Sequence, residues 1–249
     1  MFRLVSRLIL FLLVVFIVPA LLHFGVWSSR DMPQSWRQAN WSSSGLLPVA
    51  TADPEARVYV LAARTGGLKG AFATHSWLVL KRKNASQYDR YDVVGWGTPV
   101  RRNAYDADGR WYSNEPVIER MISGRDAEKL IPKIEMAIAD YPWRRRGDYT
   151  LWPGPNSNTF VASIIRAVPG FDARTPVTAV GRDYPVDGRW LQISRNGTVR
   201  VSIKGYAGFV VGRDVGLELN FLGLVAGLNP FQGEIKIPGF GSYALWTVT

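Results

Sequence analysis

Ser157 stands in the sharp turn Gly154-Pro155-Asn156-Ser157-Asn158-Thr159-Phe160, just ahead of an apolar run with helical spacing. A hydroxyl placed there lies beside unpaired backbone N–H groups and the positive end of the helix dipole. Those N–H groups can also hold an oxyanion, which makes such a corner a place for an acyl-transfer nucleophile. A serine hydroxyl attacks only with a base beside it. The chain has two histidines, and His23 falls in an apolar N-terminal run, so the base is His75. A third group must orient the imidazole. Asp92, on the strand expected beside His75, fits that part, with Asp89 as the fallback. The candidate catalytic set is therefore His75, Asp92 and Ser157, and Asn156, Asn158 and Thr159 are the candidate binding residues around it. The same residues also have a plain structural reading. Ser, Asn and Thr before a helix are ordinary N-caps worth about 1 kcal/mol. His75 can be a hydrogen-bonded strand residue, and Asp92 an ion-pair partner for one of the many arginines.

Other chemistries lack their residues. With no cysteine there is no disulfide, thiolate metal site or thiol nucleophile. Asp106-Ala107-Asp108 and its flanks do not complete a calcium loop, and the glycines form neither a dinucleotide fingerprint nor a phosphate loop. No metal and no cofactor is expected.

The elements that must position the site follow from periodicity. Strands are expected at 57–64, 73–81 and 88–96, the second carrying His75 and the third Asp92. A loop covers 97–116. A helix is expected over 126–140, with Pro132 kinking it or delaying its start. A second opens near Asn156 and runs to Val168, burying Phe160, Val161, Ile164 and Ile165. The last third reads as β-rich: Asn196-Gly197 signals a tight hairpin between 191–194 and 198–204, with further strands at 208–212, 217–222 and 233–237. Leu219 to Leu228 is apolar but too short to span a bilayer. The class is α+β, mostly antiparallel, with two main helices.

At the N-terminus, Leu8 to Val26 is a run of 19 residues without Asp, Glu, Lys or Arg. About 20 apolar residues cross a bilayer core as a helix. Arg3 and Arg7 precede the run, which places the N-terminus in the cytoplasm and the rest outside. Pro19 should kink this helix, and His23 should reach the interface. The alternative is a cleaved signal peptide, whose apolar region is shorter, about 7–15 residues, and ends in a small-residue site that this chain lacks. The expected organisation is a cytoplasmic stub at 1–7, an anchor at 8–27 and a linker with a strapped-down loop at 28–56, where Trp36, Trp41, Leu46 and Leu47 want burial. The α+β core follows at 57–170, and 171–249 is a β-rich part of the same domain. The net charge of +10 falls to +7 beyond residue 30. That charge suits a lipid bilayer partner with an anionic lipid or cell-wall surface, and export argues against nucleic acid. Oligomeric state is not fixed by the sequence.

Several strings together resemble a bacterial family of unknown function, family 3750: Trp41 through Pro48, Ala63-Arg64-Thr65-Gly66, His75-Ser76-Trp77, Tyr91 through Gly97, Gly109 through Tyr112 and Trp152 through Phe160. The resemblance implies a membrane-associated envelope protein and supplies no activity. A remoter one is to circularly permuted papain-like hydrolases and acyltransferases, the lecithin–retinol acyltransferase-like group among them. There a strand His precedes an Asn-Cys-x-x-Phe corner that opens a helix. His75-Ser76-Trp77 and Asn156 through Phe160 match these elements, with Ser157 in the Cys place and Asp92 where the group carries its orienting residue. This implies a permuted papain-like core with a β-rich extension, and acyl hydrolysis or transfer. Serine for cysteine is the departure, since a hydroxyl is far less acidic than a thiol. The rival readings are a non-catalytic module binding wall or lipid head groups, and a scaffold for another envelope protein.

Overall fold

A computed structural model describes residues 2–246. Helix α1, Phe2–Ser28, extends past the uncharged run at both ends. Its middle, Leu13–Ile17, is a π-helical turn just ahead of Pro19, a register that accommodates a residue with no N–H to give. The helix does not stand free. Phe16, Ala20, His23 and Trp27, spaced four, three and four apart, are buried along one stripe. His23, expected at the interface, packs instead on Phe240 with ring centroids 4.7 Å apart, and its Nδ1 meets the Ala71 carbonyl at 2.5 Å. Trp27 donates to the Gly67 carbonyl at 3.0 Å. Gly70 has to be glycine, because a Cβ there would lie 2.3 Å from the Trp27 ring.

The first sheet is wholly antiparallel, in the order β4-β3-β2-β1-β5. Its strands are β1 Arg57–Arg64, β2 Thr74–Lys81, β3 Asp89–Val93, β4 Val100–Arg102 and β5 Val117–Ser123. Strand alternation sends successive side chains to opposite faces. On one face Val58, Val60, Leu78 and Leu80 pack under two helices, α2 Gly124–Ala139 and α3 Ser157–Ala167. On the other, Tyr59, Leu61, Trp77 and Val79 are roofed by Trp41, Tyr105 and Trp111 from the irregular segments. The expected strap is real at Trp41 and Leu47, while Trp36 and Leu46 are exposed. Asp108 clamps it, accepting from Ser43 Oγ at 2.7 Å and from Leu47 N at 3.0 Å.

The second sheet is a seven-stranded meander in sequence order. It comprises β6 Leu191–Ile193, β7 Val199–Ile203, β8 Ala207–Gly212, β9 Gly216–Phe221, β10 Leu224–Asn229, β11 Glu234–Ile237 and β12 Gly241–Ala244. A buried ionic network ties it to the segment before it. Arg182 bonds Glu218 at 2.5 Å, Lys236 bonds the other Glu218 oxygen at 2.7 Å, and Arg200 and Asn220 both bond Asp183. Burial alone would raise the Glu218 carboxyl, but Arg182 and Lys236 outweigh it and hold the group below the usual carboxylate range.

Candidate functional site

Antiparallel pairing of β2 with β3 sets Leu78 opposite Tyr91 and Val79 opposite Arg90, so Trp77 and Asp92 follow next along their strands on the face of Val79 and Arg90. His75, two residues along β2, shares the face of Trp77. The structure thus brings His75 and Asp92 together, with Nε2 3.6 Å from Oδ1. That is too long for a hydrogen bond, and both atoms are sealed from solvent without a partner, so the carboxylate attracts the ring by charge only when the imidazole is protonated. Trp111 stacks on the imidazole at 3.6 Å with the planes 4° apart, fixing its orientation. Burial lowers the His75 pKa from its ordinary value, overcoming the opposite pull of Asp92, so the ring is a neutral base near pH 7.

Arg90, on the same face of β3 as Asp92, is the partner that composition could not single out. Its Nε donates to Asp92 Oδ2 at 3.0 Å, its Nη1 to the Asp106 carbonyl at 2.7 Å, and its guanidinium lies over the Trp77 ring. Burial pushes the Asp92 carboxyl up. The charge of Arg90 is the main influence that outweighs burial, so the group stays ionised. The two-residue spacing from Arg90 to Asp92 on a predicted strand was the available signal for this pair. Trp111, in an irregular segment, gave none.

Ser157 opens α3 as expected, with Asn156 as N-cap. The helix is pinned directly beside His75: Asn158 Nδ2 donates to the Thr74 carbonyl at 2.8 Å and to Val180 O at 2.8 Å. Yet α3 packs on the sheet face opposite to the one His75 shares with Trp77. Among the described residues no hydrogen bond links the Ser157 hydroxyl to the imidazole. The residues expected to bind a ligand are mostly engaged within the protein. Asn156 Oδ1 accepts from Asn158 N and Thr159 N, its Nδ2 donates to the Leu151 and Val180 carbonyls, and Thr159 Oγ1 donates to Gly181 O. The oxyanion site expected from the first turn is correspondingly reduced. The capping box takes the N–H groups of Asn158 and Thr159, leaving that of Ser157.

What remains free is notable for its composition. Thr74 Oγ1, Ser76 Oγ, His75 Nε2, Asp92 Oδ1 and Asn158 Oδ1 are all buried without protein partners. Buried polar atoms are rarely left so, and a group of them implies water, a ligand or a chemical role.

No curated protein and no solved structure matches the chain. A family model does, over residues 55–184, just over half of the chain and including His75, Asp92 and the whole α3 corner. The chain belongs to the family described as "Protein of unknown function (DUF3750)".

Proposed function

We propose that this is a membrane-anchored protein of the cell envelope, held by α1 in the cytoplasmic membrane with its domain outside. In this reading the corner between β2, β3 and α3 is an acyl-transfer site on a permuted papain-like core. The observation that carries the site is the neutral, oriented His75 with the ionised Asp92 beside it, next to a helix opened by a hydroxyl. Ser157 Oγ would attack an ester or amide carbonyl and pass its proton to His75, a transfer that requires the hydroxyl to swing to the imidazole, because the two are not bonded here. The imidazolium would then protonate the departing alcohol or amine, and water or an acceptor hydroxyl would take the acyl group from Ser157. Asp92 would stabilise the resulting imidazolium, and the Ser157 N–H would meet the oxyanion. The substrates that fit the location are peptide crosslinks of the wall or membrane-derived acyl chains.

A fluorophosphonate probe tests this on the full chain, because it labels only an activated serine. Labelling that disappears in Ser157→Ala and His75→Gln supports the site. An unlabelled wild type ends the enzymatic reading. The second reading, a non-catalytic module binding wall or lipid head groups in the same place, would then stand. It is favoured by the loss of two oxyanion donors to the capping box, since one such donor is worth about 10²–10³ in rate.

A further inference from the structure

The seven-stranded sheet is built with its polar face inward. The registers of β7 to β11 put Arg200, Ser202, Glu218, Asn220 and Lys236 on one face, and these are the residues of the buried ionic network or its neighbours. The other face carries Ile193, Val201, Phe209, Val211, Leu217 and Leu228. Most of these are open: Ile193 is 69%, Leu217 47% and Leu228 55% exposed. Seven strands at about 4.8 Å, of three to six residues each, make a face of roughly 550 Å². A continuous apolar patch beyond a few hundred Å² on a soluble protein marks an interaction surface.

The occupant follows from what already touches this face. Phe221 belongs to it, and Phe16 of α1 packs on Phe221 with ring centroids 5.7 Å apart. Phe16 lies nine residues past Arg7, about 14 Å along the helix, close to half of a hydrocarbon core about 30 Å thick. A domain hung on a linker would leave the apolar helix free up to Val26. Here the stripe from Phe16 to Trp27 is covered by protein. The margin of the face therefore sits at hydrocarbon depth whenever the helix spans.

We infer that the apolar face of the β6–β12 sheet lies against the lipid of the leaflet on the domain's side, continuing the surface of α1. This rests on the anchoring reading above. The sheet end next to Phe16 suits such a setting. In the β9–β10 turn, Leu222 N donates to Tyr206 O at 2.6 Å, Gly223 N to Asn220 Oδ1 at 2.9 Å, and Trp152 Nε1 to Leu222 O at 3.0 Å. The tip thus presents paired backbone groups, as an apolar medium demands. Trp152 and Tyr206 cover this tip, packed edge to face and partly exposed. Arg195 and Arg213 are exposed in turns at the opposite end of the sheet, with Asp214 as the acidic exception, and their long stems can reach anionic head groups. Lys204, exposed at the Phe16 end, is the one base the placement has to carry deeper.

The absence of cysteine makes the test clean. An environment-sensitive fluorophore is attached to Leu217→Cys, to Val211→Cys as an independent position on the same face, or to Ser86→Cys in the distant β2–β3 loop. Each full-length protein is placed in phosphatidylethanolamine–phosphatidylglycerol vesicles containing spin-labelled lipid. Quenching at 217 and 211 several-fold above that at 86 is the expected result. Equal, weak quenching at all three positions in protein that floats with the vesicles overturns the lipid-facing sheet and leaves the anchor standing. A label at 217 or 211 that is shielded from water yet unquenched by lipid overturns it too, since a second copy or another protein would then cover the face. Protein that fails to float overturns the inference together with the anchoring reading.

Discussion

His75 is held between the Trp111 ring and the Asp92 carboxylate, and its protonation therefore bears on stability as well as on chemistry. Burial lowers its pKa from the ordinary 6.5. Between 6.5 and that lower native value, the unfolded chain binds a proton that the native protein refuses. The stability is fully present above pH 6.5 and declines as pH falls through that window. Denaturation midpoints of the full chain measured from pH 7.5 down to 5 should fall with pH, and His75→Gln should show a shallower fall. Parallel profiles for the two proteins would show that the imidazole is not held neutral.

At the scale of elements, the corner that opens α3 combines function and architecture. Asn156 caps the helix through Oδ1 and pins two carbonyls through Nδ2. Gly181 stands close by at φ +96°, where a Cβ would lie 2.3 Å from the Asn156 amide. Asn156→Ala removes a cap worth about 1–2 kcal/mol and leaves the Leu151 carbonyl without its donor at about 1 kcal/mol, while the Val180 carbonyl keeps Asn158 Nδ2. The expected loss is about 2–3 kcal/mol. Asn156→Asp keeps the acceptor and should lose less; chemical denaturation with Ala no weaker than Asp would contradict the capping account. This corner was legible in the sequence because Asn-Ser-Asn-Thr before an apolar run is a local capping pattern. The strands β1, β2 and β3 were legible for a similar reason, as were α2 and the Asn196-Gly197 hairpin. Strands β4, β5, β10 and β12 were not foreseen. The run Leu219 to Leu228 conceals a turn at Leu222-Gly223, where Leu222 takes φ +55° with no Asn-Gly signal to announce it. The edge strand β5 is largely exposed and lacks the clear apolar alternation of a buried strand. The Trp111 stack was illegible because it depends on an irregular segment folding back over the sheet.

On the scale of the whole molecule, a long apolar helix, an inverted sheet and a family core are joined by tertiary contacts rather than strung along a linker. The stripe on α1 pairs with Phe221, Phe240 and the turn at Gly67–Ala71, so the helix and the domain belong to one packing unit. A helix with Arg3 and Arg7 at its start and this domain after its end should deliver everything beyond residue 28 across the cytoplasmic membrane. Paired reporter fusions after Thr249 measure this most directly, one maturing only outside the cytoplasm and one only inside. The account predicts activity from the outside reporter and silence from the other; activity of the cytoplasmic reporter alone would contradict it.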